Sequence, residues 1–267
     1  MAAEPPTAYR PTSDEPDLPT VDVFGVPIAS LRLAELLEHI RLTVRRAGRP
    51  HNPLLIAYAN AYTCNMLVEN EEYRRAIGQV DLVYADGNGP RLAAWLSGSW
   101  LPPRMTGADW IYDLCQLCSR ERFRLFFLGA GPGVAKEAAE RLCAQFPSLS
   151  VVGVLDGFFA PEQQDAVLEA IRKAAPDILV LGMGTPRQEM WMAQQKHALE
   201  VPVIWGAGGV FDYASGRIPR PPRWMRRLAL EWLGRMLIEP QRLVLRYLVG
   251  IPVFMARAVR QGRSSRR

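Results

Sequence analysis

Apolar residues in this chain occur in short continuous runs rather than at every second position. Such runs are typical of strands that are buried on both faces of a parallel sheet. We predict six strands, at residues 53–58, 81–84, 123–128, 150–155, 178–181 and 201–205. Between most of them lie stretches with helical spacing, at 31–46, 63–77, 133–146, 162–174 and 187–198. This alternation predicts an α/β fold with a doubly wound, Rossmann-like, mostly parallel sheet.

The same pattern divides the chain into three predicted regions. Residues 1–20 are rich in proline and acidic side chains, which predicts a disordered lead. Residues 21–215 contain the alternating pattern and form the predicted Rossmann-like domain. Residues 216–267 form a predicted basic, amphipathic, helical appendage, with helices at 223–238 and 242–260 separated at Glu239-Pro240. Its apolar stretch, 243–256, is shorter than the roughly 20 residues that cross a bilayer, so we predict a helix lying at a surface.

Charge is distributed unevenly between these regions. The chain of 267 residues has an ordinary soluble composition, 49% hydrophobic and 22% charged, and a net charge of +5. The appendage contains 13 Arg, no Lys and 2 Glu, a net charge of +11, so the remainder carries −6. An acidic body with a basic end indicates an anionic partner, either phosphate, nucleic acid or a membrane surface.

The cysteines and the first residues bear on the cellular compartment. Cys115 and Cys118 form a C-x-x-C, but no second pair or nearby His completes a zinc site. They fall in a predicted helix over 110–120, and we expect them to be buried thiols. No basic and then apolar secretory signal leads the chain. These features predict a reduced protein in the cytoplasm.

A glycine-rich turn follows the predicted strand 123–128. Gly129 and Gly131 would let the backbone approach a diphosphate at the start of the next helix. The dinucleotide fingerprint is incomplete, because Val134 stands where a third Gly or Ala is expected. Asp156, at the end of the following strand, could accept a hydrogen bond from a ribose hydroxyl. Nucleotide binding and a plain glycine turn with a solvated Asp both remain open.

Asp86 follows another predicted buried strand, in the segment Ala85-Asp86-Gly87. A carboxylate at the carboxyl end of a parallel strand points into the crevice where α/β sheets bind ligands. There it could accept a proton from a hydroxyl nucleophile. The alternative is a turn-forming Asp-Gly or a helix cap, which the pattern alone favours.

Polar residues follow other predicted strands at the same edge of the sheet. Gly184, Arg187 and Gln188 belong to a segment that opens a helix, where Arg can pair with phosphate and Gln can bind a sugar or base. Asn60 follows the strand 53–58 and would face the same crevice. Arg104 lies in a loop ahead of a helix and suits a bidentate phosphate contact.

Several classes of function are disfavoured by what the sequence lacks. It has no Asp-x-Asp and only three His, so a metal that bridges diphosphate oxygens has no obvious ligands. A nicotinamide-dependent oxidoreductase would use the turn at Gly129, but the fingerprint is incomplete and a catalytic His is missing. A nucleic-acid-binding module would use the arginine-rich appendage, yet its dense Leu and Trp suit lipid better than a duplex.

Four spaced blocks of sequence resemble the WecG/TagA/CpsF family of bacterial glycosyltransferases over about residues 21–248. They are Ala85–Gly87, Arg104–Gly107, Gly182–Glu189 and the segment from Arg223-Trp224-Met225 to Glu239-Pro240. The resemblance implies an inverting, metal-independent hexosyltransferase that needs no cofactor. It would move an N-acetylmannosamine-type or related sugar from a UDP-sugar to an undecaprenyl diphosphate-linked saccharide, in the synthesis of a bacterial surface polysaccharide. Self-association into a homo-oligomer is left open.

The resemblance also assigns roles to individual residues. Asp86 falls on the family's proposed base, and Asn60, Arg104 and Gln188 fall on its other active-site positions. The chain departs from the family at Tyr58, where Thr is usual, so the identity of the donor and acceptor sugars stays open. The appendage would hold the enzyme on the cytoplasmic face of the cell membrane, with contacts to lipid phosphates or the donor diphosphate from Arg220, Arg223, Arg226 and Arg227.

Overall fold

A computed structural model describes residues 18–46, 52–222, 225 and 231–265. It contains eight strands, β1 (Thr20–Val23), β2 (Val26–Ala29), β3 (Leu54–Ala59), β4 (Leu82–Ala85), β5 (Arg124–Gly129), β6 (Ser150–Leu155), β7 (Ile178–Gly182) and β8 (Val203–Gly206). They form one sheet with the order β1-β2-β4-β3-β8-β7-β5-β6. Strands β1 and β2 pair antiparallel, and the other neighbours pair parallel. The predicted α/β fold with a mostly parallel sheet is confirmed.

The six predicted strands all form, and each end lies within two residues of its predicted position. They form because both faces of the sheet are covered. In β5, for example, Phe127 packs in one hydrophobic cluster and Phe126 in the cluster on the opposite face. The hairpin of β1 and β2 was not predicted, since β1 includes Thr20 and Asp22 and β2 includes Pro27, so neither strand is a continuous apolar run.

The helices of the body cover the two faces of the sheet. They are α1 (Leu33–Arg46), α2 (Ala61–Glu69), α3 (Glu71–Ile77), α4 (Gly89–Leu96), α5 (Gly107–Glu121), α6 (Val134–Gln145), α7 (Gln164–Ala174), α8 (Arg187–Leu199) and α9 (Val210–Ala214). The stretch 63–77, predicted as one helix, is divided at Asn70. The Asn70 side chain accepts a hydrogen bond of 2.9 Å from the backbone N–H of Tyr73 and so caps the start of α3.

The basic C-terminal part folds back onto this body. It contains α10 (Glu231–Ile238), α11 (Pro240–Leu248) and α12 (Gly250–Ser265). Helix α12 packs against α2 and α4, burying Phe254 and Ala258. The predicted break at Glu239-Pro240 is confirmed, but a second break at Val249 makes three helices of the predicted two. The part of the predicted first helix at 223–230 lies outside the described residues, apart from Met225.

The remaining predictions about organisation have mixed outcomes. Cys115 and Cys118 are fully buried on α5, as expected. Of the predicted disordered lead, 1–20, residues 1–17 lie outside the described residues, and β1 begins at Thr20. The boundary between domain and appendage stays a prediction. In the part of the chain that the structure describes, no helix combines the length and apolar character that spanning a bilayer requires.

Candidate active site

Asp86 lies at the carboxyl end of β4, on the edge of the sheet where the neighbouring strands also end. Its backbone N–H donates to the carbonyl of Ala59 at 2.8 Å, which continues the pairing of β4 with β3 by one residue. The side chain is half-buried. Burial raises the pKa of its carboxyl group from an ordinary value of 3.8 to about 6. Asp86 is therefore poised to take up or release a proton near neutral pH.

The charges and dipoles around Asp86 act on its pKa in opposite directions. A hydrogen bond from Asn60 lowers the pKa, the charge of Glu231 raises it, and the charges of Arg104 and Arg235 lower it. Burial outweighs the stabilising contacts, so the carboxylate is ionised near neutral pH but remains basic. Such a group can accept a proton from an attacking hydroxyl, and the role of base that the resemblance implies for Asp86 stays a prediction.

Asn60 has two structural tasks that together fix its orientation. Its Oδ1 accepts hydrogen bonds from the backbone N–H groups of Tyr62 and Thr63, at 3.0 and 3.1 Å, and caps the start of α2. Since Oδ1 is used by the cap, Nδ2 is the atom that donates to Asp86. This hydrogen bond places Asn60 and Asp86 side by side at one edge of the sheet, and a contact of Asn60 with substrate stays a prediction.

Arg104 lies in the loop between α4 and α5, beside the end of β4. The backbone N–H of Met105 donates to the carbonyl of Ala85 at 3.0 Å and holds this loop at the strand end. The Arg104 guanidinium donates from Nη1 to Thr106 Oγ1 at 3.0 Å. It also makes a bidentate pair with Glu231 of α10, with both Nη–Oε distances at 3.0 Å. The predicted phosphate contact would therefore require Arg104 to exchange partners.

Tyr58 lies near the end of β3, and Gln188 lies at the start of α8. The Tyr58 hydroxyl is 3.0 Å from Thr185 Oγ1, and burial raises the pKa of its phenol. Gln188 is fully buried, and its Oε1 accepts a hydrogen bond of 3.0 Å from the backbone N–H of Gly208. Gln188 thus supports the turn after β8 from behind, and its predicted contact with substrate remains untested.

The glycine turn after β5 lies in a second part of the crevice. Strands β7, β8 and β3 separate β5 from β4, so at about 4.8 Å per strand the two ends are ~19 Å apart. A Cβ atom added to Gly129 would come within 2.5 Å of the Gly182 backbone, whereas Gly131 faces open space. Asp156 accepts a hydrogen bond of 3.0 Å from the backbone N–H of Gly133. Close packing against Gly182 therefore explains why position 129 is a glycine. Nucleotide binding by Gly131 and Asp156 stays a prediction.

The segment after β7 supplies two more predicted binding residues. Gly184 has φ +79° and faces open space, a conformation that side chains of L-residues rarely adopt. The Arg187 guanidinium lies over the rings of Phe158 and Phe159, 5.5 and 5.3 Å from their centroids. Arg187 is thus tied to the loop after β6, and its predicted phosphate contact is not tested.

The arginines predicted to contact membrane or diphosphate are only partly described. Arg220 pairs with Asp109 of α5 and lies 5.0 Å from the ring centroid of Tyr213. The remaining three of these predicted contacts lie outside the described residues, namely Arg223, Arg226 and Arg227.

Sequence reasoning missed three residues that the appendage brings to the site, namely Glu231, Arg235 and Arg246. The Arg246 guanidinium lies 3.7 Å from the ring centroid of Tyr62, and a Cβ atom added to Gly209 would be 3.1 Å from Arg235 Nη2. The Nε atoms of both arginines are buried and have no hydrogen-bond partner among the described residues. The sequence signal for these residues was a charged side chain within an apolar helical pattern. Packing of the helix against the body is enough to explain that pattern, so the signal does not point to the site.

Metal ligands are not concentrated anywhere in the described ranges. Within residues 18–46, 52–222, 225 and 231–265, no group of three His, Cys, Asp or Glu could hold a metal ion. The groups that act on Asp86 are instead the Asn60 amide, the Glu231 carboxylate and the guanidinium groups of Arg104 and Arg235. The site therefore offers a base beside cationic groups suited to an anionic ligand.

A mostly parallel, doubly wound sheet with this site at its strand ends is consistent with a Rossmann-like glycosyltransferase fold. The model of the "Glycosyl transferase WecG/TagA/CpsF family" matches residues 21–267, and the chain belongs to this family.

Curated relatives in Bacillus and Staphylococcus are named N-acetylglucosaminyldiphosphoundecaprenol N-acetyl-beta-D-mannosaminyltransferase. The chain is 30% identical to the protein of Bacillus spizizenii over 198 residues, covering 74% of this chain and 76% of the relative. It is 28% identical to the protein of Staphylococcus aureus over 238 residues, covering 88% and 90%. The resemblance inferred from the four sequence blocks is confirmed.

Proposed function

We propose that this glycosyltransferase moves an N-acetylmannosamine-type or related hexosyl group from a UDP-sugar to an undecaprenyl diphosphate-linked saccharide. The reaction belongs to bacterial surface polysaccharide synthesis and inverts the anomeric centre without a metal. The observation that carries the proposal is the Asp86 carboxyl group, oriented by Asn60 beside Arg104 and Arg235. The names of the relatives support the lipid-linked acceptor.

The proposed chemistry is a single displacement. Ionised Asp86 accepts the proton of an acceptor hydroxyl as that oxygen attacks the anomeric carbon. The bond from this carbon to the donor diphosphate breaks on the opposite face, and UDP leaves with the bonding electrons. Arg104, Arg235 and Arg246 stabilise the charge that develops on the diphosphate. Arg235 and Arg246, whose Nε atoms have no hydrogen-bond partner among the described residues, need little reorganisation for this, whereas Arg104 first exchanges Glu231 for the diphosphate.

A donor screen tests the proposed function directly. Purified protein is incubated with individual UDP-sugars and a short-chain prenyl diphosphate-linked GlcNAc acceptor, with and without EDTA. Mass spectrometry should detect an acceptor heavier by one hexosyl group, and NMR of the new linkage should show inversion. Activity that depends on an added divalent ion would contradict the metal-independent mechanism. No product with any UDP-sugar, or transfer from another nucleotide sugar alone, would contradict the proposed donor.

The pH dependence of kcat/KM reports on the protonation of Asp86. The pKa of this carboxyl group is about 6, so kcat/KM should fall about tenfold per pH unit below that value and level off above it. The charge of Glu231 raises this pKa, so Glu231→Gln should move the inflection to lower pH. A wild-type inflection near 4, or one that Glu231→Gln moves to higher pH, would contradict the role of Asp86.

We further propose that the appendage docks on an anionic membrane at the cytoplasmic face. Seven of the eleven large hydrophobic side chains that the described residues expose lie in α10–α12 or at their junctions. Leu237, Leu245 and Leu248 are exposed by 71%, 75% and 60%. Exposed apolar side chains on arginine-containing helices are typical of segments that lie in a bilayer interface.

Substitution of these leucines tests the membrane proposal without unfolding the protein. Deleting the whole appendage would uncover the face that Phe254 and Ala258 cover, so a point variant is the cleaner test. Leu237→Gln/Leu245→Gln/Leu248→Gln should weaken cosedimentation with anionic liposomes at least about tenfold, because each leucine loses part of ~1.5–3 kcal/mol of burial. The melting temperature should change little. The matched Leu→Met triple variant should still bind, and equal binding by both variants would reject the docking surface.

A further inference from the structure

Five residues at the ends of β3, β7 and β8 form a continuous polar chain, which we call the Glu189 ring. Its members are Tyr58, Thr185, Glu189, Gln188 and Gly208. Thr185 Oγ1 donates to Glu189 Oε1 at 2.9 Å, and Gln188 Nε2 donates to the same oxygen at 2.8 Å. The backbone N–H of Gly208 donates to Gln188 Oε1 at 3.0 Å. A Cβ atom added to Gly208 would lie 2.7 Å from the Tyr58 hydroxyl, so contact between these two residues closes the ring.

The hydrogen bonds of the ring have a direction. Since Thr185 uses its one hydroxyl proton toward Glu189, the Tyr58 hydroxyl must donate to Thr185 at 3.0 Å. One arm therefore runs from Tyr58 through Thr185, and the other runs from Gly208 through Gln188. Both arms end at a single acceptor, Glu189 Oε1. Loss of that acceptor would release both arms at once.

Glu189 is an unusual residue to find at this position. Its side chain is fully buried, and its Oε2 has no hydrogen-bond partner among the described residues. Burial raises the pKa of its carboxyl group, and the contacts that lower it come from Gln188, Thr185 and its own backbone. A buried carboxyl oxygen needs hydrogen-bond donors, and Oε1 receives two hydrogen bonds, from Thr185 and from Gln188. Its contribution to the ring is therefore an oxygen that accepts two hydrogen bonds.

The ring connects parts of the crevice that no single element joins. Tyr58 lies two residues before Asn60, the residue that orients Asp86. Gly208 has φ +63° and precedes Gly209, which faces the Arg235 guanidinium. The ring thus fixes the turn after β8 relative to the end of β3. A sugar donor bound across these strand ends would meet both.

We propose that Glu189 is a positioning residue for the sugar donor, holding the Tyr58 phenol and the turn at Gly208 in the arrangement that the donor requires. The inference rests on the proposed function, because it assumes that a UDP-sugar binds at these strand ends. Glu189 does not touch the reacting atoms. It acts through Gln188, Thr185 and Tyr58.

Two substitutions of similar size separate the accepting oxygen from the charge and the volume. Glu189→Gln keeps an oxygen that can accept from both arms, so kcat and both KM values should stay within about threefold of wild type. Glu189→Met fills the space but accepts from neither arm. It should raise the donor KM at least about tenfold while the acceptor KM stays unchanged. Equal kinetics for the two variants, or a Glu189→Met loss that spares the donor KM, would overturn the positioning role.

A double-mutant cycle tests whether the ring acts as a unit. Tyr58→Phe should raise the donor KM on its own, but Tyr58→Phe/Glu189→Met should be no worse than Glu189→Met alone, since the arm is already released. Effects that multiply would show independent residues and overturn the ring.

A parallel titration with UDP separates failure of this proposal from failure of the proposed function. Wild type that does not bind UDP or a UDP-sugar would overturn the proposed function and this inference together. Wild-type binding that Glu189→Met leaves unchanged, together with an unchanged donor KM, would overturn the positioning role alone.

Discussion

Replacing Asp86 with Asn should lower kcat by roughly 10²–10⁴-fold while leaving UDP-sugar binding intact. The amide keeps the shape of the side chain but cannot accept the acceptor's proton. Its oxygen can still accept the hydrogen bond from Asn60 that orients the carboxylate. Turnover is measured with the lipid-linked acceptor, and donor binding is measured separately by titration. Near-normal turnover, or loss of donor binding in proportion to kcat, would reject Asp86 as the base.

The same variant should be more stable than wild type at neutral pH. Burial raises the pKa of Asp86 to about 6 in the folded protein, against an ordinary value of 3.8. A raised carboxyl pKa means that the stability present below pH ~4 is lost as pH rises through about 6. A pKa shift of this size corresponds to about 3 kcal/mol of lost stability at pH 7. Since the side chain is half-buried, solvent screening makes the loss smaller than this. Removing the charge should raise the melting temperature by about 2–6 °C at pH 7.

The two effects together distinguish a catalytic carboxylate from a structural one. If the carboxylate only stabilised the turn before α4, replacing it would lower the melting temperature. A catalytic group held in an unfavourable ionisation state gives the opposite sign. At pH 4 the difference in melting temperature between the variant and wild type should largely vanish, since wild type is then protonated. A variant less stable than wild type at pH 7 would contradict this account of the Asp86 environment.

The sheet could be predicted from sequence because its strands are buried on both faces. A continuous apolar run such as Ile178–Gly182 is unambiguous when glycine ends it. The division of 63–77 at Asn70 was missed, because the helical spacing continues across it and only the Asn70 cap interrupts it. Strands β1 and β2 were missed because polar residues interrupt the first and Pro27 interrupts the second, so neither resembles the continuous runs of the other strands.

The sequence predicted the residues that the body contributes to the candidate site but not those that the appendage contributes. Asn60 and Asp86 could be brought together by reasoning from parallel strand ends, because residues that follow neighbouring strands share one edge. Glu231, Arg235 and Arg246 could not, since their position depends on how the appendage folds back over the sheet. Gln188 shows a different limit. Its type suggested a ligand contact, which stays a prediction, whereas its burial and its hydrogen bond with Gly208 depend on tertiary packing that the sequence does not show.

Arg104→Gln should lower kcat by about 10²–10³-fold, the effect of losing one fixed donor to a developing negative charge. In the structure this arginine is paired with Glu231, and both side chains are about four-fifths buried, with exposed fractions of 22% and 19%. The pair could be a purely structural link between the loop before α5 and α10. Alternatively, the guanidinium exchanges Glu231 for the donor diphosphate during the reaction. Comparison of the two single variants decides between these roles.

Glu231→Gln is the matched control, because it weakens the same pair from the other side. If Arg104 serves only to hold Glu231, the two variants should lose similar activity, since either one breaks the link. If Arg104 contacts the diphosphate, Glu231→Gln should stay within about tenfold of wild type, because the guanidinium remains and is released from a competing carboxylate. Values of kcat and donor KM for both variants at pH 7.5 provide the measurement. Similar losses in kcat would show that the cation serves the fold, and the leaving diphosphate would then have to be stabilised by Arg235 and Arg246.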